Sequence, residues 1–367
     1  MSFSAFSLMK LISTLPLVWR KASCALLILS AATAPVSVHA QQPGAIDGEA
    51  EPWFRNQADT AKYFFIITGA AASEEIRDRF RRWSFSLYDT LGSDYGYQAD
   101  QLILLIDEGN VDARDAARVD GSSRREDIEG HVQNLQARVN QGDQVSFFLI
   151  GHGSSSGPEA KFNIAGPDIT GAEFAGLLNG FEQQDVVVIN TTSASYDFSA
   201  ELSARGRVVI SATRSRAERF DPVFPEYLLE ALAGRKGDRD KNNRVSILEA
   251  FTYARLSVDN WYKQEGRLAT EHAVLDDNGD GMFSMEPAPE IADGRLAEIA
   301  YVDLLSSRTQ KQSPQAQQRL AEIQDLERSV FILRGQQSNY LEDDYWKRLE
   351  VLLIDLARKT GIYNELP

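Results

Sequence analysis

Five runs of strand length are apolar almost throughout: KYFFIIT from Lys62, QLILLID from Gln101, QVSFFLI from Gln144, DVVVIN from Asp185 and RVVISAT from Arg207. A strand with one wet face alternates apolar and polar residues, whereas a strand buried on both faces does not. Between the runs lie SEEIRDRFRRWSFSLYDTL, RREDIEGHVQNLQARV and TGAEFAGLLNGF, whose apolar residues recur at helical spacing, and FPEYLLEAL follows the last run. Strands alternating with helices predict a mostly parallel sheet covered on both sides, an α/β fold. Local signals agree: Ser123 with Glu126 reads as a capping box, and Gly142 follows the last periodic turn of that helix.

The chain has 367 residues, 43% hydrophobic and 25% charged, enough for a sizeable core. Its first forty residues differ from the rest. Lys10, Arg20 and Lys21 precede the apolar run ASCALLILSAATAPV, and Val38–Ala40 offers small residues for cleavage. Residues 1–40 are expected to be a signal peptide, with an uncleaved anchor as the alternative. Nothing later approaches about twenty consecutive apolar residues, so no membrane insertion is expected after cleavage. The expected location is periplasmic or extracellular. The net charge of −15 becomes about −18 without that basic segment, which argues against nucleic acid or an anionic membrane as partner. The one cysteine, Cys24, lies inside the segment. Its removal excludes disulfides, thiolate metal sites and a cysteine nucleophile together.

After a linker at 41–61, the sequence divides into the α/β part at 62–236, an Asp-rich segment at 237–293 and a helical part at 294–367. In the last, Leu320, Ile323, Leu326, Val330 and Leu333 recur at helical steps, as do Tyr345, Leu349, Leu352, Leu353 and Leu356. Ser313 and Pro314 form a cap and first-turn pair. Two such helices joined by a polar loop are expected to pack as a hairpin.

In an open parallel sheet, ligands bind beyond the carboxyl ends of the strands. Two strand ends carry unusual residues. FFLIGHGS places His152 between Gly151 and Gly153, and VVVINTTSASYDF ends in Thr191, Thr192, Ser193 and Ser195. Of the histidines beyond the first segment, His131, His152 and His272, only His152 follows a buried strand inside a glycine pair. His272, beside Glu271, is expected to be structural, and Arg214 and Arg216 fall on the same rim as His152.

A strand ending in His-Gly, a second ending in a small-residue turn, and then RVVISATRSRAER resemble the legumain and caspase superfamily of cysteine peptidases. The HGS, NTTSAS, GRVVI-ATRS, TEHA and DDNGDG segments resemble bacterial exported members of the legumain-type family, over about residues 62–281. The resemblance implies a caspase-like αβα sandwich. It implies that His152 matches the catalytic histidine and Gly153 the residue whose N–H steadies an oxyanion.

Where peptidase members carry an Ala-Cys pair, this chain has Thr191 and Thr192. A hydroxyl needs stronger activation than a thiol, for instance a base oriented by a carboxylate, and the sequence names no such acid for His152. The favoured expectation is a non-peptidase homologue whose cleft binds a protein or peptide ligand. The alternative is a peptidase or acyl-transfer enzyme that uses a hydroxyl of Thr192, Ser193 or Ser195 with His152.

DRDKNNRVSILE places Asp238, Asp240, Asn242, the Arg244 carbonyl, Ser246 and Glu249 at positions 1, 3, 5, 7, 9 and 12 of an EF-hand-like loop. Asn243 stands where glycine is usual, and asparagine tolerates positive φ. Ca²⁺ is the expected ion, with an Asp/Asn-rich turn capping the next helix as the alternative. DDNGDGMFSMEP repeats the start with Asp276, Asn278 and Asp280 but puts Pro287 at position 12, so its cage is incomplete. The two loops either pair, as EF-hands do, or the second braces the cleft.

Overall fold

The computed structural model describes residues 53–55, 60–155, 159–304 and 313–366. The expected signal segment and most of the linker lie outside them. Contacts gather the described residues into one compact unit.

The strands are β1 (Lys62–Thr68), β2 (Leu102–Ile106), β3 (Gln144–Ile150), the short β4 (Gly153–Ser154), β5 (Lys161–Phe162) and β6 (Ile169–Thr170), then β7 (Asp185–Asn190), β8 (Arg207–Ser211) and β9 (Val274–Asp276). The main sheet runs β2-β1-β3-β7-β8-β9; its first five strands are parallel and β9 is antiparallel to β8. β4, β5 and β6 form a small antiparallel sheet. Register pairs Thr68 with Ile150, Leu149 with Asn190 and Asn190 with Ser211. The carboxyl ends of β3, β7 and β8 are therefore level and adjacent.

Helices cover both faces because alternate residues of each strand point to opposite sides. Phe64, Ile66, Phe148, Ile150, Val187 and Ile189 pack on one side with α1 (Glu74–Tyr95), α5 (Phe224–Leu232) and α6 (Ile247–Gln264). Phe65, Ile67, Phe147, Leu149, Val186 and Val188 pack on the other with α2 (Arg125–Gln136), α3 (Gly171–Leu178) and α4 (Tyr196–Leu202). The fold is α/β with a mostly parallel six-stranded sheet, an arrangement consistent with an αβα sandwich.

Two details depart from the sequence reading. α2 starts at Arg125 behind Arg124, which makes no side-chain cap. Ser123 is buried and donates its hydroxyl to the Asp107 carbonyl at the exit of β2, so it anchors a turn instead of capping a helix. The sixth strand, β9, comes from the Asp-rich segment, where no strand was expected.

α7 (Arg295–Ile299) contributes Leu296 and Ala297 to the larger core. The last two helices are α8 (Pro314–Gly335) and α9 (Glu342–Glu365). Ser313 caps α8 by accepting from the Ala316 N–H, with proline in the first turn. Val330 and Leu333 of α8 pack on Tyr345 and Leu349 of α9, while Lys359 lies 3.1 Å from Glu322. Phe331 enters the main core, and Arg334 pairs with Glu298 of α7. No described helix is long and apolar enough to cross a membrane.

Candidate functional site

His152 and Thr192 follow β3 and β7, neighbouring strands that end at the same level. The backbone beyond β7 passes so close that a Cβ on Gly153 would stand 2.4 Å from the Ser193 carbonyl oxygen and 2.8 Å from Thr192 Oγ1. Only glycine fits there, for reasons of space. The structure thus brings His152, Gly153, Thr192 and Ser193 together.

Their bonding is less suited to acyl transfer than their placement. Thr192 is 1% exposed, and both its N–H and its hydroxyl donate to Asn190 Oδ1, at 3.1 and 2.8 Å. The Gly153 N–H donates to Ser193 Oγ at 3.3 Å, and Ser193 Oγ lies 3.4 Å from the Gly153 carbonyl oxygen. The amide that the resemblance assigns to an oxyanion is occupied from within the chain. Thr191 donates its hydroxyl to Leu149 O at 2.7 Å, and Ser195 belongs to a buried hydroxyl group with Ser211 and Thr213. These hydroxyls close the strand ends, which is what turn-forming threonines and serines do.

His152 has a partner that sequence reasoning missed. Its Nδ1 lies 3.1 Å from Asp221 Oδ1, and the other oxygen of Asp221 accepts from Arg79 of α1 at 2.5 Å. The His152 imidazole, and after it the Arg79 guanidinium, hold the Asp221 carboxyl below the usual carboxylate range. The Phe80 ring meets the imidazole at 5.2 Å in an edge-on geometry. Nε2 of His152 is buried and has no hydrogen-bond partner among the described residues. Nothing in the sequence marked Asp221, because it sits in an aperiodic segment between β8 and α5.

Around the rim, charges are paired within the chain. Arg216 meets Asp197 at 3.0 Å, and Asp197 also accepts from Ser155. Glu218 joins Arg214 at 3.3 Å and His272 Nδ1 at 2.6 Å, and its carbonyl accepts the Ala194 N–H. Here His272 ties the approach to β9 to the turn after β7.

The first Asp-rich loop brings Asp238, Asp240 and Glu249 together, with one oxygen from each within 4.8 Å of the others. Asn243 takes φ of +63°, as its place in the loop requires. Burial first, then the Glu249 carboxylate, raises Asp240 to about 6. Such crowding of oxygens suits a hard cation. Ser246 caps α6 and shares a reciprocal capping box with Glu249, and Asn242 Oδ1 accepts the Arg244 N–H. The Arg244 side chain leaves the loop, pairs with Glu327 of α8 and lies over the Tyr301 ring at 3.7 Å.

In the second loop, Asp276 accepts from the N–H groups of Asn278, Gly279 and Gly281 and from Ser203. Asn278 Nδ2 lies 3.3 Å from Asp280 Oδ2. Among the described residues, this loop does not gather three metal-type ligands as the first does. The loops do not pair with each other by backbone bonds. Val245 and Ile247 bond to Val302 and Ala300, whereas Leu275 bonds to Ser284 within the second loop.

No family model matches the chain, and no curated protein matches its sequence. Among solved structures it is similar to protein GSU0716 from Geobacter sulfurreducens at 10% identity and a TM-score of 0.38, over 64% of this chain and 97% of that one.

Proposed function

We propose that this chain is an exported, caspase- and legumain-like domain that binds a protein or peptide segment at its strand-end cleft without cleaving it. The observation that carries this reading is the state of Thr192: buried, β-branched and donating to Asn190, it stands where the resemblance puts a thiol. A hydroxyl nucleophile must be reachable and bonded to its base.

The test is incubation of the purified protein, without residues 1–40, with a peptide library in the presence and absence of Ca²⁺, beside Thr192→Ala and His152→Ala. No cleavage is expected under any condition, with peptide retention unaltered in Thr192→Ala and reduced in His152→Ala. Cleavage abolished by both substitutions would overturn the reading and establish a hydroxyl-dependent peptidase. The contact of His152 with Asp221 favours that second reading, since a base oriented by a carboxylate is what a hydroxyl needs.

Ca²⁺ belongs to the same proposal. Asp238, Asp240 and Glu249 would hold it, with Asn242, the Arg244 carbonyl and Ser246 completing an oxygen set of the kind the ion takes. Its contribution would be structural: a cation offsetting three crowded carboxylates at the start of α6.

A further inference from the structure

Asp221 and Arg79 do more than neutralise each other, because Asp221 faces His152 with one oxygen and Arg79 with the other. An ionised carboxylate only accepts hydrogen bonds, and a guanidinium only donates them. Any proton placed between the two at this 3.1 Å approach must therefore sit on His152 Nδ1. Nε2, which is buried and has no partner among the described residues, gives no competing reason for the proton to sit on that side. A buried polar atom without a partner is costly and calls for an explanation.

We propose that Asp221, held by Arg79, is a positioning residue for His152: it fixes the neutral imidazole as the Nδ1–H tautomer and leaves Nε2 as a bare acceptor. This rests on the reading of His152 as a cleft residue and deepens it. A bare Nε2 is the state in which a histidine accepts a hydrogen bond or a proton from a group that enters a site. The His152 side chain as a whole is 22% exposed, so a peptide N–H or hydroxyl reaching Nε2 must shift what covers that atom, and would then supply the donor that the described residues do not.

The experiment is nitrogen NMR of histidine-labelled protein at a pH where His152 is neutral, with His131 and His272 as internal references. The expected result is a protonated-type Nδ1 and an unprotonated-type Nε2 for His152. Asp221→Asn makes a sharper prediction. Arg79 offers only donors, so the asparagine carbonyl turns to Arg79, its NH₂ faces Nδ1, and the tautomer reverses to Nε2–H while the reference signals stay in place. Adding Arg79→Met to Asp221→Asn frees the amide to turn and undoes much of the reversal. A wild-type His152 that is Nε2–H, or evenly averaged between tautomers, overturns the proposal without any variant having to fold. So does an Asp221→Asn spectrum with His152 unchanged. Failure of peptide retention with the tautomer intact would strike the binding reading alone.

Discussion

Asp185, the first residue of β7, shows how a single side chain can set the response to pH. It is 4% exposed, accepts the Phe54 N–H at 2.8 Å, and is raised to about 7, chiefly by burial. Lys62, the first residue of β1, is equally enclosed; its ammonium donates to Tyr301 O at 2.5 Å and burial lowers it to about 7. For Asp185 the folded state holds a proton that the unfolded state has released between pH 4 and 7. Its stabilising effect is therefore complete below about pH 4 and is lost as pH rises through about 7. Lys62 acts in the next window, where stability rises with pH from about 7 towards 10.5. Asp185→Asn keeps an acceptor for Phe54 and abolishes the first titration. Urea unfolding should show the variant gaining on the wild type between pH 5 and 7, on the order of 1 kcal/mol per pH unit. A constant difference across that range would refute the assignment. The run DVVVIN announced a buried strand, yet the burial of its leading aspartate was illegible because Phe54, whose N–H it accepts, is remote in the chain.

At the scale of elements, the Asp-rich loop and α8 meet through Arg244, which is 3% exposed. Sequence spacing assigned this residue only a backbone role, as a carbonyl in the loop. Its side chain instead ties the loop to Glu327 and Tyr301. Arg244→Met should cost about 3–5 kcal/mol by denaturant unfolding, because removing one member of a buried pair leaves the other charge uncompensated. Adding Glu327→Gln should recover part of that loss; full additivity of the two changes would mean that they do not interact. The helix cap at Ser313 was legible because it depends on neighbours in sequence, whereas Ser246 and Glu249, read as loop ligands, also form a capping box on α6. The cap read at Ser123 failed because Asp107, at the exit of another strand, claims its hydroxyl.

For the molecule as a whole, the Asp-rich loop, α7 and α8 share one core with the sheet, so a ligand of the loop should register in global stability. Ca²⁺ at about a hundred times its dissociation constant would add about 2.7 kcal/mol, seen as a higher Tm that chelation reverses. Glu249→Gln keeps one acceptor, for the Ser246 N–H, while removing a charge and the acceptor of the Arg239 and Asp240 N–H groups, and should abolish the Ca²⁺-dependent shift. A shift that survives Glu249→Gln would exclude this loop as its source.

The sequence by itself determined the five parallel strands, the helices between them and the adjacency of two particular strand ends, since unbroken apolar runs and helical periods are local consequences of burial on both faces. Only the tertiary structure decided what those ends can do. It turned the Thr192 hydroxyl to Asn190, set Ser193 on the Gly153 amide, brought Asp221 and Arg79 to His152, and added β9 to the sheet. Each of these is a polar or edge contact whose partner is chosen by packing, and periodicity along the chain carries no record of that choice.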